Sequence, residues 1–384
     1  MSKPIDIPER VAASTAGATG IVEIDLNALR SNWRALAALV QPSRCAAVVK
    51  ADAYGLGAAR VIPALAAAGC KTFFIATPAE AEDARRFAPQ AAIYALDGLL
   101  GAPAHFARLN IRPVLSTRDD VEAWALQSRV HGRRLAAALH IDTGLNRFGL
   151  PAAETRRIAA DSALLSAIDV TLVMSHLASA DNARDPKNRD QLIAFETLTT
   201  LFPNTPRSLA ASDGLLLGRD YHFDLVRPGY ALYGGQASDA SRAPVSPVVT
   251  VRARILAIAD VAPGETVGYS ATWRAKRPSR IATIAAGYAD GMPRGASATD
   301  NVAGGAVVIA GKRAPIIGRV SMDLTTVDVT DLPRDAARPG AFAMLLGDVL
   351  TLEEFGRGAG TIGYEILTRL GRRFERRYID EANG

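Results

Sequence analysis

The chain has 384 residues, 49% of them hydrophobic, enough to fill two cores or one large barrel with an appendage. Its 44 basic and 39 acidic residues leave a formal charge of only +5, and no run of like charges forms an arm for nucleic acid. No apolar stretch reaches the roughly eighteen residues of a membrane span, the N-terminus lacks a signal-peptide core, and Cys45 and Cys70 have no metal-ligand spacing. These features predict a cytoplasmic protein with reduced thiols, no metal, no nucleic-acid partner and no membrane partner.

In chain order, "IVEIDL" (21–26) reads as a lone strand followed by the helix "NALRSNWRALAALV". Standing ahead of any repeat, that strand is expected to pair with the C-terminal part of the chain. From residue 45 onward, β-rich runs alternate with alanine-rich amphipathic stretches. The runs are AAVVK (46–50), TFFIAT (72–77), AIYAL (92–96), RPVLS (112–116), LAAALHID (135–142), VTLVMSHL (170–177), RSLAAS (207–212) and DLVRPGYALY (224–233). Eight such units predict a closed (β/α)8 barrel of the TIM type over residues 20–240. An open doubly wound sheet would carry G-x-G-x-x-G after its first strand, and "YGLGAAR" lacks the third glycine. The intervening segments have helix signals: "AARVIPALAAAG" stops on a glycine, and "TRDDVEAWALQSRV" opens on a threonine cap with acids in its first turn. After residue 240, short strands such as "VVTVRARILAIADV" and "GGAVVIAGKRAPIIGRVSMDLTTVDVTDL" alternate with Gly, Pro and Asp turns, which predicts a mainly-β domain over 241–384. Arg369, Arg372, Arg373, Arg376 and Arg377 alternate with apolar residues near its end and read as a solvated face or a subunit contact.

A (β/α)8 barrel places its reactive groups at the C-terminal ends of the strands. Lys50 ends the first run, His140 and Asp142 the fifth, His176 the sixth and Ser212 the seventh, while Arg227 and Gly229 lie within the eighth. Taken singly, each is an ordinary solvated strand end; together they form a ring of convergent polar groups. Lys50 follows four small or apolar residues, and burial favours its neutral, nucleophilic amine. Schiff-base chemistry follows, either with a carbonyl substrate directly or with pyridoxal phosphate. Barrels bind phosphate in the loops after strands seven and eight, here the Ser212 to Gly214 turn and the Pro228–Gly229 backbone, which suits the phosphorylated cofactor.

The motifs "VVKADAYGLG", "IDTGLNRFGL", "LVRPGYALYG", "VGYSATW", "GYADGMPR", "IIGRVSMDLTTVDVT" and "TIGYEIL" resemble the alanine racemase family of fold-type-III pyridoxal phosphate enzymes, in family order across residues 20–378. The resemblance implies that Lys50 carries the cofactor as a Schiff base and acts as base on one face of the substrate Cα. Tyr269 is implied as the base on the other face, reaching the site from the partner subunit of a homodimer. It further implies that Arg227 faces the pyridine nitrogen beside His176, and that Tyr54, Ser212, Gly229, Tyr230 and Tyr364 hold the phosphate. Arg147 and the Met322 backbone are implied at the substrate carboxylate, and Tyr288 at the substrate entrance. The implied activity is interconversion of L- and D-alanine, for peptidoglycan or for alanine catabolism. A broader amino-acid racemase keeps the same fold and cofactor. A non-catalytic cofactor carrier usually lacks the β domain and a counterpart of Tyr269, and a decarboxylase of this fold places an acid where Arg227 stands.

Three positions depart from the family pattern. His140 replaces a lysine that many relatives carbamylate to orient the arginine, so Arg147 is expected to be held by a bound anion, a water or His140 itself. Leu56 replaces a common histidine and Ala211 a common asparagine, which thins the polar network around the cofactor. Asp323 and Asp328 read as turn and network carboxylates, not as acid/base catalysts.

Overall fold

The computed structural model describes residues 17–236 and 242–380. Of the first twenty residues, which carry no signal-peptide core in the sequence, the first sixteen lie outside the described residues. The chain divides into two compact units, Ala28–Ser246 and Met1–Asn27 with Pro247–Gly384.

The first unit is a parallel barrel. Its strands are Arg44–Cys45 continuing into Ala47–Val48, then Thr72–Ile75, Ala92–Ala95, Arg112–Leu115, Leu135–His140, Ile168–Met174, Arg207–Ser208 and Leu225–Val226. Strands one to seven pair in sequence order. Strand eight pairs in parallel with Arg44–Cys45 and reaches strand seven through Asp224 N–H to Arg207 C=O (3.0 Å), Arg227 N–H to Ala210 C=O (3.0 Å) and the Ala211–Arg227 bridge, so the ring closes. Strands such as "TFFI", buried on nearly every residue, are continuous apolar runs because both faces are covered.

The helix ends fall where local chemistry puts them. Ala58–Ala68 stops at Gly69, whose φ of 112° is left-handed. Arg118–Val130 starts at Thr117, whose hydroxyl accepts the Asp120 N–H, with Asp119 and Asp120 in the first turn.

All eight strands stop short of the ends of the sequence runs, and at the site this matters most for strands one, six, seven and eight. Ser212 lies four residues beyond the end of strand seven at Ser208. Strand one ends at Val48, so Lys50 lies in the turn beyond it and does not end a strand. Strand six ends at Met174, two residues before His176. The eighth run was expected to extend through 233, but it is strand only over Leu225–Val226, and Tyr230–Tyr233 is a 3-10 turn. Pro228 brings no N–H to a ladder, and the chain turns at that point.

The second unit is an antiparallel β-barrel. Its long strand Val249–Val261 pairs at one end with Phe342–Leu346 and at the other with Ser279–Ile284. Thr325–Asp328, Lys312–Ile317 and Ala306–Ile309 complete the circuit between those two. A register shift between Ile255 and Ala257 marks the bend that lets one strand serve both neighbours. Gly20–Asp25 adds to the same sheet, antiparallel to Val249–Val261 and parallel to Glu375–Ile379. Among the described residues, no helix is long and apolar enough to cross a membrane, and no group of three or more His, Cys, Asp or Glu could hold a metal ion.

Candidate active site

In the parallel barrel, Lys50 stands at the start of an unusual turn. Ala51, Asp52, Ala53 and Tyr54 all have φ between 53° and 57°, four successive non-glycine residues in the left-handed region. Each costs about 1–2 kcal/mol in that conformation, so surrounding contacts must impose it. The contacts are Ala53 N–H to Val49 C=O (3.0 Å), Gly57 N–H to Asp52 C=O (2.9 Å), Ala58 N–H to the Asp52 carboxylate (2.7 Å) and Ala51 N–H to the Glu80 carboxylate (2.7 Å). Burial lowers the pKa of Lys50; Arg147 adds to that fall, while Asp97 and Glu80 oppose it.

Tyr54 is the last non-glycine residue of the left-handed turn, buried with its ring centroid 4.8 Å from that of Tyr233. Burial raises its phenol pKa, so the hydroxyl is a donor. That hydroxyl lies against Gly229 so closely that a Cβ there would stand 2.2 Å from it. Ser212 Oγ accepts the N–H groups of Gly229 (3.0 Å) and Ala231 (3.2 Å), which leaves its own proton to donate elsewhere. The segments beyond strands seven and eight thus bring the Ser212 hydroxyl and glycine backbone together with the Tyr54 hydroxyl from beyond strand one, an arrangement suited to an anion. Tyr230 is fully buried with its ring against Gly235, so its side chain belongs to the core.

Arg227 is buried and makes no ion pair among the described residues. Its terminal nitrogens donate to Ser208 Oγ (2.5 Å), Ser175 C=O (2.7 Å) and Leu209 C=O (3.3 Å), and it lies 5.9 Å from the Phe74 ring centre. Burial lowers its pKa to about 9, still a cation at neutral pH. Its field reaches both neighbouring imidazoles. Burial and then Arg227 bring His176 down to about 3 and His140 to about 4, so both rings are neutral. His140 Nδ1 lies 3.3 Å from Ser116 Oγ, and its ring meets Phe148 edge-on, with ring centres 6.2 Å apart.

No hydrogen bond joins His140 to Arg147 among the described residues. Arg147 is placed by its loop instead. The Asp142 carboxylate accepts the N–H groups of Gly144 (2.8 Å), Leu145 (3.0 Å) and Asn146 (3.1 Å), and Leu150 N–H returns to His140 C=O (2.7 Å). The exposed guanidinium forms no ion pair among the described residues and remains available to an anion.

Lys50, His140, Arg147, His176 and Arg227 are therefore brought within electrostatic reach of one another, with Tyr54, Ser212 and Gly229 in mutual contact. Two supporting residues carry no signal that sequence reading used. Glu80 bonds the Lys50 turn, and the T-x-x-E capping pattern "TPAE" could have flagged it. Gln191 donates to His176 C=O (2.9 Å) and Thr143 Oγ1 (3.3 Å) and accepts from Ala178 N–H (2.7 Å), tying the loops after strands five and six together.

The other candidates lie in the antiparallel unit. Tyr269 is 71% exposed, on a turn that follows Gly268 (φ 80°) and continues through Ser270 and Ala271, both at positive φ. Tyr288 and Met322 lie on two loops locked together, by Tyr288 N–H to Ser321 C=O (3.0 Å) and Ala289 N–H to Met322 C=O (3.0 Å). A Cβ on Gly287 would stand 2.2 Å from the Met322 oxygen, so only glycine permits this approach.

Arg373 is exposed over about half of its side chain, but it is not free. It bonds both oxygens of the buried Asp290 (2.7 Å each) and also Asp323 (2.6 Å), clamping the two loops. Asp328 accepts from Thr330 and serves a turn. Tyr364 is partly buried on the short helix Gly363–Thr368.

The chain was compared with known proteins. Residues 24–237 match the family described as "Alanine racemase, N-terminal domain", and residues 248–378 match "Alanine racemase, C-terminal domain". It is 49% identical to the alanine racemase of Methylobacterium sp. (strain 4-46), over 93% of this chain and 97% of that one. It is 48% identical to that of Methylobacterium nodulans, over 97% and 99%. Among solved structures, alanine racemase from Bartonella henselae with covalently bound pyridoxal phosphate superposes with a TM-score of 0.89 at 38% identity, covering 94% of this chain and 100% of that one. Biosynthetic alanine racemase from Pseudomonas aeruginosa gives 0.86 at 34% identity, covering 94% and 100%. With both family domains matched in order and relatives near half identical along almost the whole length, the chain belongs to the alanine racemase family.

Proposed function

We propose that this protein interconverts L- and D-alanine, using pyridoxal phosphate held by Lys50. The observation that carries the reading is a lysine whose pKa burial lowers, on the turn that leads to a hydroxyl-and-glycine anion cradle, with a buried guanidinium satisfied only by neutral acceptors. That donor set fits the cofactor. Ser212 Oγ has a proton left to give, Tyr54 is a protonated donor against Gly229, and Arg227 suits a neutral ring nitrogen better than a carboxylate. When bound, pyridoxal phosphate supplies an aldehyde for amines and a conjugated ring that draws electron density from Cα.

The chain's own residues do the rest. Lys50 would hold the aldehyde carbon until the substrate amine takes its place there, and its freed amine would then move the proton at Cα on one face. Tyr269 moves the proton on the opposite face, from the partner subunit of a homodimer. Tyr54, Ser212, the Gly229 and Tyr230 backbone and Tyr364 hold the phosphate. Arg227, flanked by His176, donates to the ring nitrogen without releasing a proton. The ring is left a weaker electron sink, so plain proton exchange is favoured over transamination. Arg147 and the Met322 N–H bind the substrate carboxylate, and Tyr288 lines the entrance. The product serves peptidoglycan or alanine catabolism in the cytoplasm.

The test is incubation of the loaded protein with L-alanine in deuterated water, then chiral separation and mass analysis. D-alanine carrying deuterium at Cα is expected. A fully loaded protein that forms no D-alanine overturns the reading.

A further inference from the structure

We infer that Glu80 is a positioning residue for Lys50: its carboxylate replaces the barrel rung lost where strand one turns left-handed, and so fixes where the lysine leaves the barrel wall. The inference rests on the proposal that Lys50 holds the cofactor and moves the Cα proton. Strands one and two pair as Ala47 with Phe73 and Val48 with Phe74, and Val49 N–H donates to Phe74 C=O (2.8 Å). In a parallel ladder, a residue that donates to one partner accepts from the residue two further on. The next rung would therefore run from Ala76 N–H to Val49 C=O.

That rung is missing. Val49 C=O accepts Ala53 N–H (3.0 Å) inside the left-handed turn, and Ala76 N–H donates instead to Glu80 Oε2 (2.7 Å). The other carboxylate oxygen accepts Ala51 N–H (2.7 Å), from the residue directly after Lys50. One side chain thus satisfies both N–H groups on either side of the break and ties them together. Only a two-oxygen acceptor can do this, since an amide would present an NH2 to one of the two donors. Glu80 itself is held on the 3-10 turn Pro78–Glu80, which Thr77 caps. Its charge also opposes the effect of burial and Arg147 on the lysine amine.

The test uses full-length Glu80→Gln and Glu80→Asp proteins. Hydrogen exchange is followed in the segments holding Ala51 and Ala76. In cofactor-free protein, the pH dependence of Lys50 labelling by an amine-reactive reagent is read by mass spectrometry. Loss of a charge-assisted hydrogen bond predicts exchange faster by about tenfold or more in both segments, in both variants. The labelling midpoint is expected to move to lower pH in Glu80→Gln and to stay in place in Glu80→Asp, which keeps the charge but not the reach. In loaded protein, kcat for alanine falls with KM little changed.

Wild-type exchange in both segments, or acceleration spread evenly over the barrel, overturns the inference. Should Glu80→Gln fail to fold, Glu80→Asp decides by exchange alone. A wild-type protein that takes up pyridoxal phosphate without racemising alanine would sink the racemase proposal, while exchange and labelling would still decide the part played by Glu80.

Discussion

Replacing Gly229 by alanine tests the anion cradle at its tightest point. The new methyl would stand 2.2 Å from Tyr54 Oη, 3.0 Å from Tyr54 Cζ and 3.2 Å from Val48 Cβ, where ordinary contact begins at 3.4 Å. Tyr54 would have to retreat by about 1 Å. It has little room to do so, because its ring is buried against Tyr233, whose hydroxyl is bonded to Val48 C=O (3.1 Å), and its backbone belongs to the left-handed turn. Overpacking of this kind costs roughly 1–3 kcal/mol of stability. On the proposed reading the displaced phenol would also forfeit a bond to a dianion, and hydrogen bonds to charged groups are worth about 1.5–3 kcal/mol. Loss of one such bond is expected to weaken pyridoxal phosphate binding by a factor of roughly 10 to 150. Fluorescence titration of cofactor-free Gly229→Ala protein measures the affinity, and thermal unfolding of the same protein measures stability. Affinity and midpoint both equal to wild type would show that the cradle is not where the phosphate sits.

Three further outcomes follow from the same geometry. Tyr269→Phe should keep the cofactor's absorbance while racemisation falls by about 100-fold or more, the usual loss for a proton-transferring side chain, and steady-state assay in both directions checks this. His140 and His176 are held at about 4 and 3, below the ordinary imidazole value, so the unfolded chain binds more protons than the folded one as pH falls from about 6.5. Stability is therefore full above that pH and declines towards pH 4; in His140→Asn the slope of unfolding midpoint against pH should be shallower. Arg373→Lys keeps the charge but loses the fork that grips Asp290 and Asp323, so KM for alanine should rise while cofactor affinity stays at wild type; equal loss of both would place the clamp's effect elsewhere.

What the sequence disclosed and what it hid divide along a physical line. Helix ends were legible because their signals are local: Thr117 caps within three residues, and Gly69 takes a backbone angle that few residues adopt. The number of barrel strands was legible because both faces are buried and the runs are uniformly apolar. Where strands stop was less so. In the stretch from Ala51 to Tyr54 no glycine announces a left-handed turn, since its shape is imposed by partners such as Glu80, 29 residues beyond Ala51 in the chain. At the end of strand eight, Pro228 was the visible sign that the ladder could not continue through Tyr230. The candidate site follows the same division. Residues at strand ends could be read from topology, while the side chains that hold them, Gln191, Asp290 and Arg373, act over long separations that leave no periodic trace. Asp290 and Arg373 are 83 residues apart.

Arg227 joins these two kinds of information. A buried guanidinium without a carboxylate is an expensive element of a fold, because oxygens of serine and the backbone offset only part of its lost hydration. If it served only packing, an apolar residue of similar volume would stabilise the barrel better. Its three acceptors among the described residues are all neutral and come from the ends of strands six and seven, so they fix its direction without neutralising its charge. An uncompensated, rigidly aimed cation suits an electron-rich neutral acceptor, and it adds to the burial that keeps both nearby imidazoles unprotonated. On the proposed reading, the pairing of Arg227 with a Lys50 of lowered pKa would give a site in which the amine can bond carbon and move a proton while the cation holds a ring nitrogen without giving one up.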